Sequence, residues 1–205
     1  MGKGRMEAFS DGVLAIVITI MVLELKVPHV EGTPDLTSLR PLVPAMLSYL
    51  VSFVYLGIYW NNHHHLLHAA KQVSGMTLWA NLHLLFWLSL FPFVTHWAGE
   101  SRFAAWPVAA YGIVLLMAAI AWDILRRVLV RCHGRDSVLA AALRRDAKEY
   151  ASTALYAAAI VLAFCGAWGV WTACAIYCVV AALWFIPDRR IERELAARGE
   201  HADAR

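Results

Sequence analysis

Arg5-Met6-Glu7-Ala8-Phe9-Ser10-Asp11-Gly12, followed by the apolar run from Val13 to Leu23, is the stretch that decides how this chain of 205 residues is read. It sets an arginine, a serine and an aspartate at the mouth of a hydrophobic helix. Charge at mid-membrane is costly and less so near the interface, so such groups face partners or a water path rather than lipid. Further along, Ile16, Ile20, Leu23 and Val27 follow one another at steps of four, three and four. That spacing is one stripe of an α-helix, with Thr19 beside it.

The composition around this helix points to a membrane protein. Hydrophobic residues make up 60% of the chain and charged residues 16%, with a mean hydropathy of +0.57. That is too apolar for an ordinary soluble domain and long enough for about six spans of some 20 residues each. The fold expected is all-α, one integral membrane domain over 1–205. A net charge of +3, with no basic surface interleaved with aromatics, argues against nucleic acid as a partner. Cys132, Cys165, Cys174 and Cys178 show no CxxC spacing, and three lie in apolar runs, as buried reduced thiols do. The first helix is not read as a cleaved signal peptide. Glu7 and Asp11 stand where an n-region is basic, and no small-x-small site follows Leu25.

Six apolar segments are marked, at about 9–27, 41–67, 76–97, 104–130, 150–167 and 170–186. Between the first two lies a polar loop with Gly32, Pro34 and Asp35. A basic stretch, Arg131 to Lys148, follows the fourth and reads as a helical extension or a surface helix. Gly166 to Gly169 leaves room only for a tight hairpin, and Pro187 ends the last helix before a charged tail over 188–205. With the N-terminus in the cytoplasm, fifteen Lys and Arg fall inside and three outside, namely Lys26, Arg40 and Arg102. This positive-inside bias predicts an even number of spans with both termini in the cytoplasm. Trp79, Trp97, Trp106, Trp168 and Trp171 fall near span ends, where interfacial aromatics sit.

No Walker loop, GxGxxG, GxSxG or HExxH is present, so no enzyme is expected. There is no internal repeat either, so a pore would have to be made by association of copies. Arg5, Ser10 and Asp11 admit two readings. They form a buried polar cluster at the cytoplasmic end of the first helix, with Arg5 bridging carboxylates or carbonyls and Asp11 accepting from it or from another helix, or Ser10 or Asp11 merely caps the helix while Arg5 rests in lipid headgroups. The Ile16, Ile20 and Leu23 stripe is equally open: lipid-facing or packed apolar surface, or a ring of aliphatic side chains that gates a pore by dewetting. Thr19 offers a hydroxyl there, although helix threonines commonly bond their own backbone.

In Trp60-Asn61-Asn62-His63-His64-His65, with His68 following, His64 and His68 share one helical face, the spacing of a metal pair. No nearby carboxylate or cysteine completes a ligand set, and histidines at a helix end bonded to neighbouring chains are preferred. No cofactor or bound metal is expected. Asn81, His83 and Asp123 are polar groups within spans and candidate partners for Arg5 or Asp11. Glu24 and Lys26 read as an interfacial pair.

Arg5-x-x-x-Phe9-Ser10-Asp11, continued by Gly12-Val13, Ala15-Ile16-Val17-Ile18-Thr19 and Leu23-Glu24-Leu25, resembles the prokaryotic branch of the transmembrane protein 175 potassium channel family. Tyr59-Trp60-Asn61-Asn62-His63-His64 and Ser89-Leu90-Phe91-Pro92-Phe93 are similar to that family too. The resemblance implies a homotetramer of six-span subunits in the bilayer, without a TVGYG filter, in which first helices line a central pore for monovalent cations, K foremost. By position it implies Ile16 as the narrowest ring, Ile20 and Leu23 on later turns, and Thr19 adjacent. Arg5, Phe9, Ser10 and Asp11 would form a structural polar network with Trp60 and His63, His64 and His65. The competing function is a proton-coupled transporter or proton leak relayed by Asp11 and the histidines. A metalloenzyme built on His64 and His68 comes third.

Overall fold

The computed structural model describes residues 2–27, 35–133 and 147–185. The turn residues Gly32 and Pro34, most of the basic stretch after His133, and Pro187 with the tail over 188–205 lie outside the described residues. The described chain is helical throughout. Helix α1 runs Lys3–Leu23. A short 3₁₀ turn, Leu36–Leu42, leads into α2, Val43–Ala69. Then follow α3, Gly75–Ser89, α4, Phe91–Glu100, α5, Ala105–His133, α6, Ala147–Leu162, and α7, Gly166–Phe185.

Local chemistry explains the boundaries. Asp35 opens the 3₁₀ turn as a cap, its Oδ1 accepting from Ser38 N at 3.1 Å and from Thr37 Oγ1 at 2.7 Å. Those donors, the Thr37 and Ser38 hydroxyls first, hold its carboxyl below the ordinary carboxylate range. Pro44 stands in the first turn of α2, where its missing N–H costs nothing. Ser74 and Thr77 cap α3 reciprocally. The expected third segment is not one helix: it breaks at Leu90, just before Pro92. Proline has no N–H to continue the ladder and crowds the preceding turn. The α6–α7 connection turns at Gly166, whose φ of +77° is readily available only to glycine.

Five helical stretches among the described residues are long and apolar enough to cross a membrane, against the six expected: Lys3–Leu23, Leu36–Ala69, Gly75–Glu100, Ala105–His133 and Gly166–Phe185. The difference lies in α6. Its 16 residues reach about 24 Å at 1.5 Å per residue, short of a hydrocarbon core of about 30 Å. Together the helices form an all-α, multi-pass membrane bundle.

The core is apolar and small-residue-rich. α1 packs on α2, α3 and α4; α5 lies against α3 and α6; α7 closes on α6 and α2. Leu56, Leu84, Leu88, Phe91, Leu115, Ala118, Leu125, Ala159 and Val180 are almost wholly buried. Within this core runs a chain of hydroxyls. Ser52 Oγ lies 2.6 Å from Thr95 Oγ1 and 2.8 Å from Tyr111 OH, tying α2 to α4 and α5. Such bonds are worth about 0.5–2 kcal/mol each between membrane helices, where oily side chains gain little by leaving lipid.

At Gly112 the side chain of Tyr177 from α7 packs directly against α5. A Cβ there would lie 2.1 Å from the hydroxyl of buried Tyr177, which donates to Val108 O at 3.1 Å. Replacing a helical glycine by alanine gains about 1 kcal/mol of propensity, whereas overpacking costs about 1–3 kcal/mol. Gly112→Ala is therefore expected to lower the thermal unfolding midpoint in detergent; an unchanged or raised midpoint would show that Tyr177 can step aside.

Candidate functional site

The sequence motif divides around α1 by direction. Met6, Ser10, Leu14, Val17 and Met21 are buried and make the face that docks on the rest of the bundle. At about 100° per residue, Arg5, Phe9, Ile16, Ile20 and Leu23 fall on the opposite side, while Val27 of the expected stripe lies beyond the end of the helix. These are exposed in the single subunit, Ile16 at 58%, Ile20 at 43% and Leu23 at 72%. Thr19 is on the exposed side as well, its Oγ1 2.9 Å from Ala15 O and 3.0 Å from Ile16 O. Its proton is thus spent on its own backbone.

Ser10 is the polar join of the docked face. Its Oγ donates to Met6 O at 2.8 Å and accepts from Asn81 Nδ2 at 2.8 Å. Asn81 Oδ1 in turn meets His63 Nε2 at 2.7 Å. All three residues are buried, so α1, α2 and α3 share one desolvated network. His63 Nδ1 is buried and has no hydrogen-bond partner among the described residues.

Asp11 does different work on the flank toward α2. Trp60 Nε1 donates to Asp11 Oδ1 at 3.0 Å, Glu7 lies 3.5 Å from His64 Nδ1, and Lys3 Nζ donates to His68 O at 3.2 Å. Positions 3, 7 and 11 ascend one helix by four while 68, 64 and 60 descend the other, so antiparallel α1 and α2 are joined by three rungs in register. The rings of Trp60, His64 and His68 stack along this edge with centroids 6.3 and 6.2 Å apart. His65 lies against His64 at 5.7 Å.

Several residues lie elsewhere than the sequence suggested. Asn81 bonds Ser10 and His63 rather than Arg5 or Asp11. His83 accepts from Trp87 Nε1 of its own helix at 3.0 Å. Asp123 pairs with Arg127 at 2.6 Å and with Arg126, which also contacts Glu149 of α6. The Arg5 side chain has no hydrogen bond or ion pair among the described residues and stands on the open face with Phe9. Glu24 pairs with His96 of α4 rather than with Lys26. No three His, Cys, Asp or Glu converge on a metal position among the described residues. Lys3, Glu7 and His68 were missed as a set; the matching four-residue steps at 3, 7, 11 and 60, 64, 68 were the available signal.

Comparison with known proteins now has this geometry to rest on. A family model described as endosomal/lysosomal potassium channel TMEM175 matches residues 5–92, the span from Arg5 to Pro92 that holds the buried join and the Glu7 and Asp11 rungs of the ladder. A Chryseobacterium protein named as a potassium channel is 55% identical over 195 residues, 95% of this chain and 98% of its own length. This chain belongs to the TMEM175 family. A Streptomyces collinus protein, also named as a potassium channel, is 35% identical over 60% of this chain and 62% of its own. Among solved structures, that of a lysosomal potassium-selective channel TMEM175 homolog from Chamaesiphon minutus superposes with a TM-score of 0.75 at 30% identity. It covers 89% of this chain and 95% of the other.

The buried join of this TMEM175 chain makes a sharp test. Asn81→Leu strands the buried His63 ring, at about 1–3 kcal/mol for an unsatisfied buried group, and removes the donor to Ser10 Oγ, which keeps its bond to Met6 O. Ser10→Ala should cost far less in the Asn81→Leu background than in the native protein, because neighbours in one network do not add. A double-mutant cycle of unfolding midpoints in detergent reads this; strict additivity would mean the two side chains act separately.

Proposed function

We propose that the protein is a potassium-permeable channel that conducts passively along the open face of α1, with four copies arranged around a central axis. The observation that carries this reading is the division of α1. One side is docked and tethered by polar groups, while Ile16, Ile20 and Leu23 are left uncovered by their own subunit. The names of the relatives supply the cargo, potassium. The chain has no internal repeat, so association is the way to close a conduit.

In this arrangement Ile16 forms the narrowest ring, Ile20 and Leu23 form rings on later turns, and Thr19 flanks them. Potassium sheds water more readily than sodium, so a narrow aliphatic passage that strips part of the hydration shell penalises sodium more. No oxygen ligands replace the lost water, which makes the preference for potassium modest. Arg5 and Phe9 meet neighbouring copies at the entrance, and Ser10, Asp11, Trp60 and His63 to His65 hold α1 in place as a structural network. The channel has no catalytic role and needs no cofactor.

The topology that goes with this is six spans in one domain over 1–205, with α6 as the short fifth crossing that returns the chain from α5 to α7. Its packing against both neighbours supports that assignment, and a locally thinned bilayer accommodates its length. The fifteen-to-three distribution of Lys and Arg favours both termini, and the charged tail over 188–205, on the cytoplasmic side of a bacterial inner membrane.

Purified protein in liposomes should give a reversal potential displaced toward the potassium equilibrium potential; an undisplaced value refutes selectivity, and one that follows a proton gradient favours the relay alternative. Ile16→Asn wets the ring and should raise or de-select the current, and unchanged currents would move the constriction elsewhere. Asp11→Ala removes the Trp60 rung and should weaken the assembled tetramer in detergent. A stable, normally conducting Asp11→Ala tetramer would leave the aspartate no structural part.

A further inference from the structure

A cavity of about 140 Å³ lies among α2, α5, α6 and α7, and no residue of α1 lines it. It is close in size to one that takes up a benzene molecule, about 150 Å³. Aromatic rings make up much of its wall: Tyr55 and Tyr59 from α2, Trp122 from α5, Tyr150 and Tyr156 from α6, and Trp184 from α7. Tyr59 and Trp122 meet edge to face with centroids 6.4 Å apart. Ile120, Tyr150 and Thr153 of the lining are exposed, so the cavity is reached from outside the bundle.

The polar groups of this wall fall into two sets. One is already engaged in holding the helices together. Tyr55 OH donates to Tyr177 O at 2.6 Å, Tyr156 OH donates to Tyr55 OH at 3.3 Å, and Trp184 Nε1 donates to Ser152 Oγ at 2.9 Å. The other set is acidic or acceptor-rich. Asp123 of α5 and Glu149 of α6 line the cavity, whereas Arg127 and Arg126, which pair with them, do not. The lining has no Lys or Arg. Asn62 spends its Nδ2 on Ile58 O at 2.9 Å, which leaves its Oδ1 without a donor among the described residues.

The face of an aromatic ring is the negative end of its quadrupole, so the rings and the carboxylates favour the same guest, a cation. An inorganic cation must have its hydration shell replaced by oxygen ligands, and a wall made largely of rings does not supply them. An alkylammonium ion brings its own apolar surface and is the guest that aromatic cages recognise. We propose that this cavity binds a small alkylammonium ion of the size of ethanolamine or choline, its carbon groups against Tyr59, Trp122 and Trp184 and its charge toward Asp123 and Glu149. A bound ion bridges α2, α5 and α6 and so holds the short α6 in place. Two sources present this chemistry, the free ion and the headgroup of a zwitterionic phospholipid.

The experiment follows the thermal unfolding midpoint of the full chain in lipid-free detergent as choline chloride is added, with sodium and potassium chloride at equal ionic strength as references. Choline should raise the midpoint saturably, as a ligand of the folded state does. The neutral choline analogue in which carbon replaces nitrogen should raise it far less. Equal shifts from choline and this analogue overturn the proposal by making the cavity merely apolar, and equal shifts from choline and potassium overturn it by making the guest inorganic. Both comparisons use the native protein. Trp122→Leu removes one wall and should weaken the choline affinity about tenfold. Ala119→Met fills the cavity from α5 while keeping every ring and carboxylate, and should abolish the shift; native affinity in this variant overturns the proposal. In nanodiscs of phosphatidylglycerol the choline shift should persist. Its loss when phosphatidylethanolamine is added assigns the cavity to the lipid headgroup, and its survival assigns it to the free ion. No readout passes through potassium current, so the result stands apart from the pathway reading.

Discussion

The rotation of α1 about its own axis is the constraint on which the rest of this structure depends. In water, an amphipathic helix turns its apolar face inward because burial is favourable there. In a bilayer that argument fails, since lipid tails solvate leucine and isoleucine as well as a protein core does. α1 is apolar on almost every side beyond Gly12, so hydrophobicity cannot choose which face docks. The polar groups choose: Ser10 must reach Asn81, and Asp11 must reach Trp60. A rotation by one residue, about 100°, would break both.

Once those two contacts are made, the fate of every other side chain on the helix follows. Leu14, Val17 and Met21 lie in line with Ser10 and pack inward, where α4 places Thr95 against Met21. Ile16, Ile20 and Leu23 are carried to the far side. The four residues RxxxFSD thus have separate physical tasks: Ser toward α3, Asp toward α2, Arg and Phe toward the open face. The rungs at Lys3 and Glu7 and the His96 contact at Glu24 extend the same control to both ends of the helix.

The peripheral helices are held by different means. α5 and α6 share the Arg126, Asp123 and Glu149 cluster, and α5 meets α7 at Gly112, where the absent side chain makes room for Tyr177. The break at Leu90 separates α3 from α4, and α4 reaches both the hydroxyls of α2 and the end of α1. That break was written in Pro92, but its use was not, because Thr95 meets Ser52, and His96 meets Glu24, only across helices distant in sequence.

The amino-acid sequence by itself determined that this is a helical membrane chain, since some 20 consecutive apolar residues cannot fold otherwise in lipid. It also determined the turn at Gly166 and, through one short motif, the family. It left the role of the Ile16, Ile20 and Leu23 stripe open between lipid, core and pore, because periodicity marks a face without saying what covers it. Only the tertiary structure decided that this face is the one its own subunit leaves bare, that Asn81 joins Ser10 to His63, and that Glu24 answers to His96 rather than Lys26. Each of these is a pairing between residues far apart in the chain, fixed by how helices cross and not by any local preference.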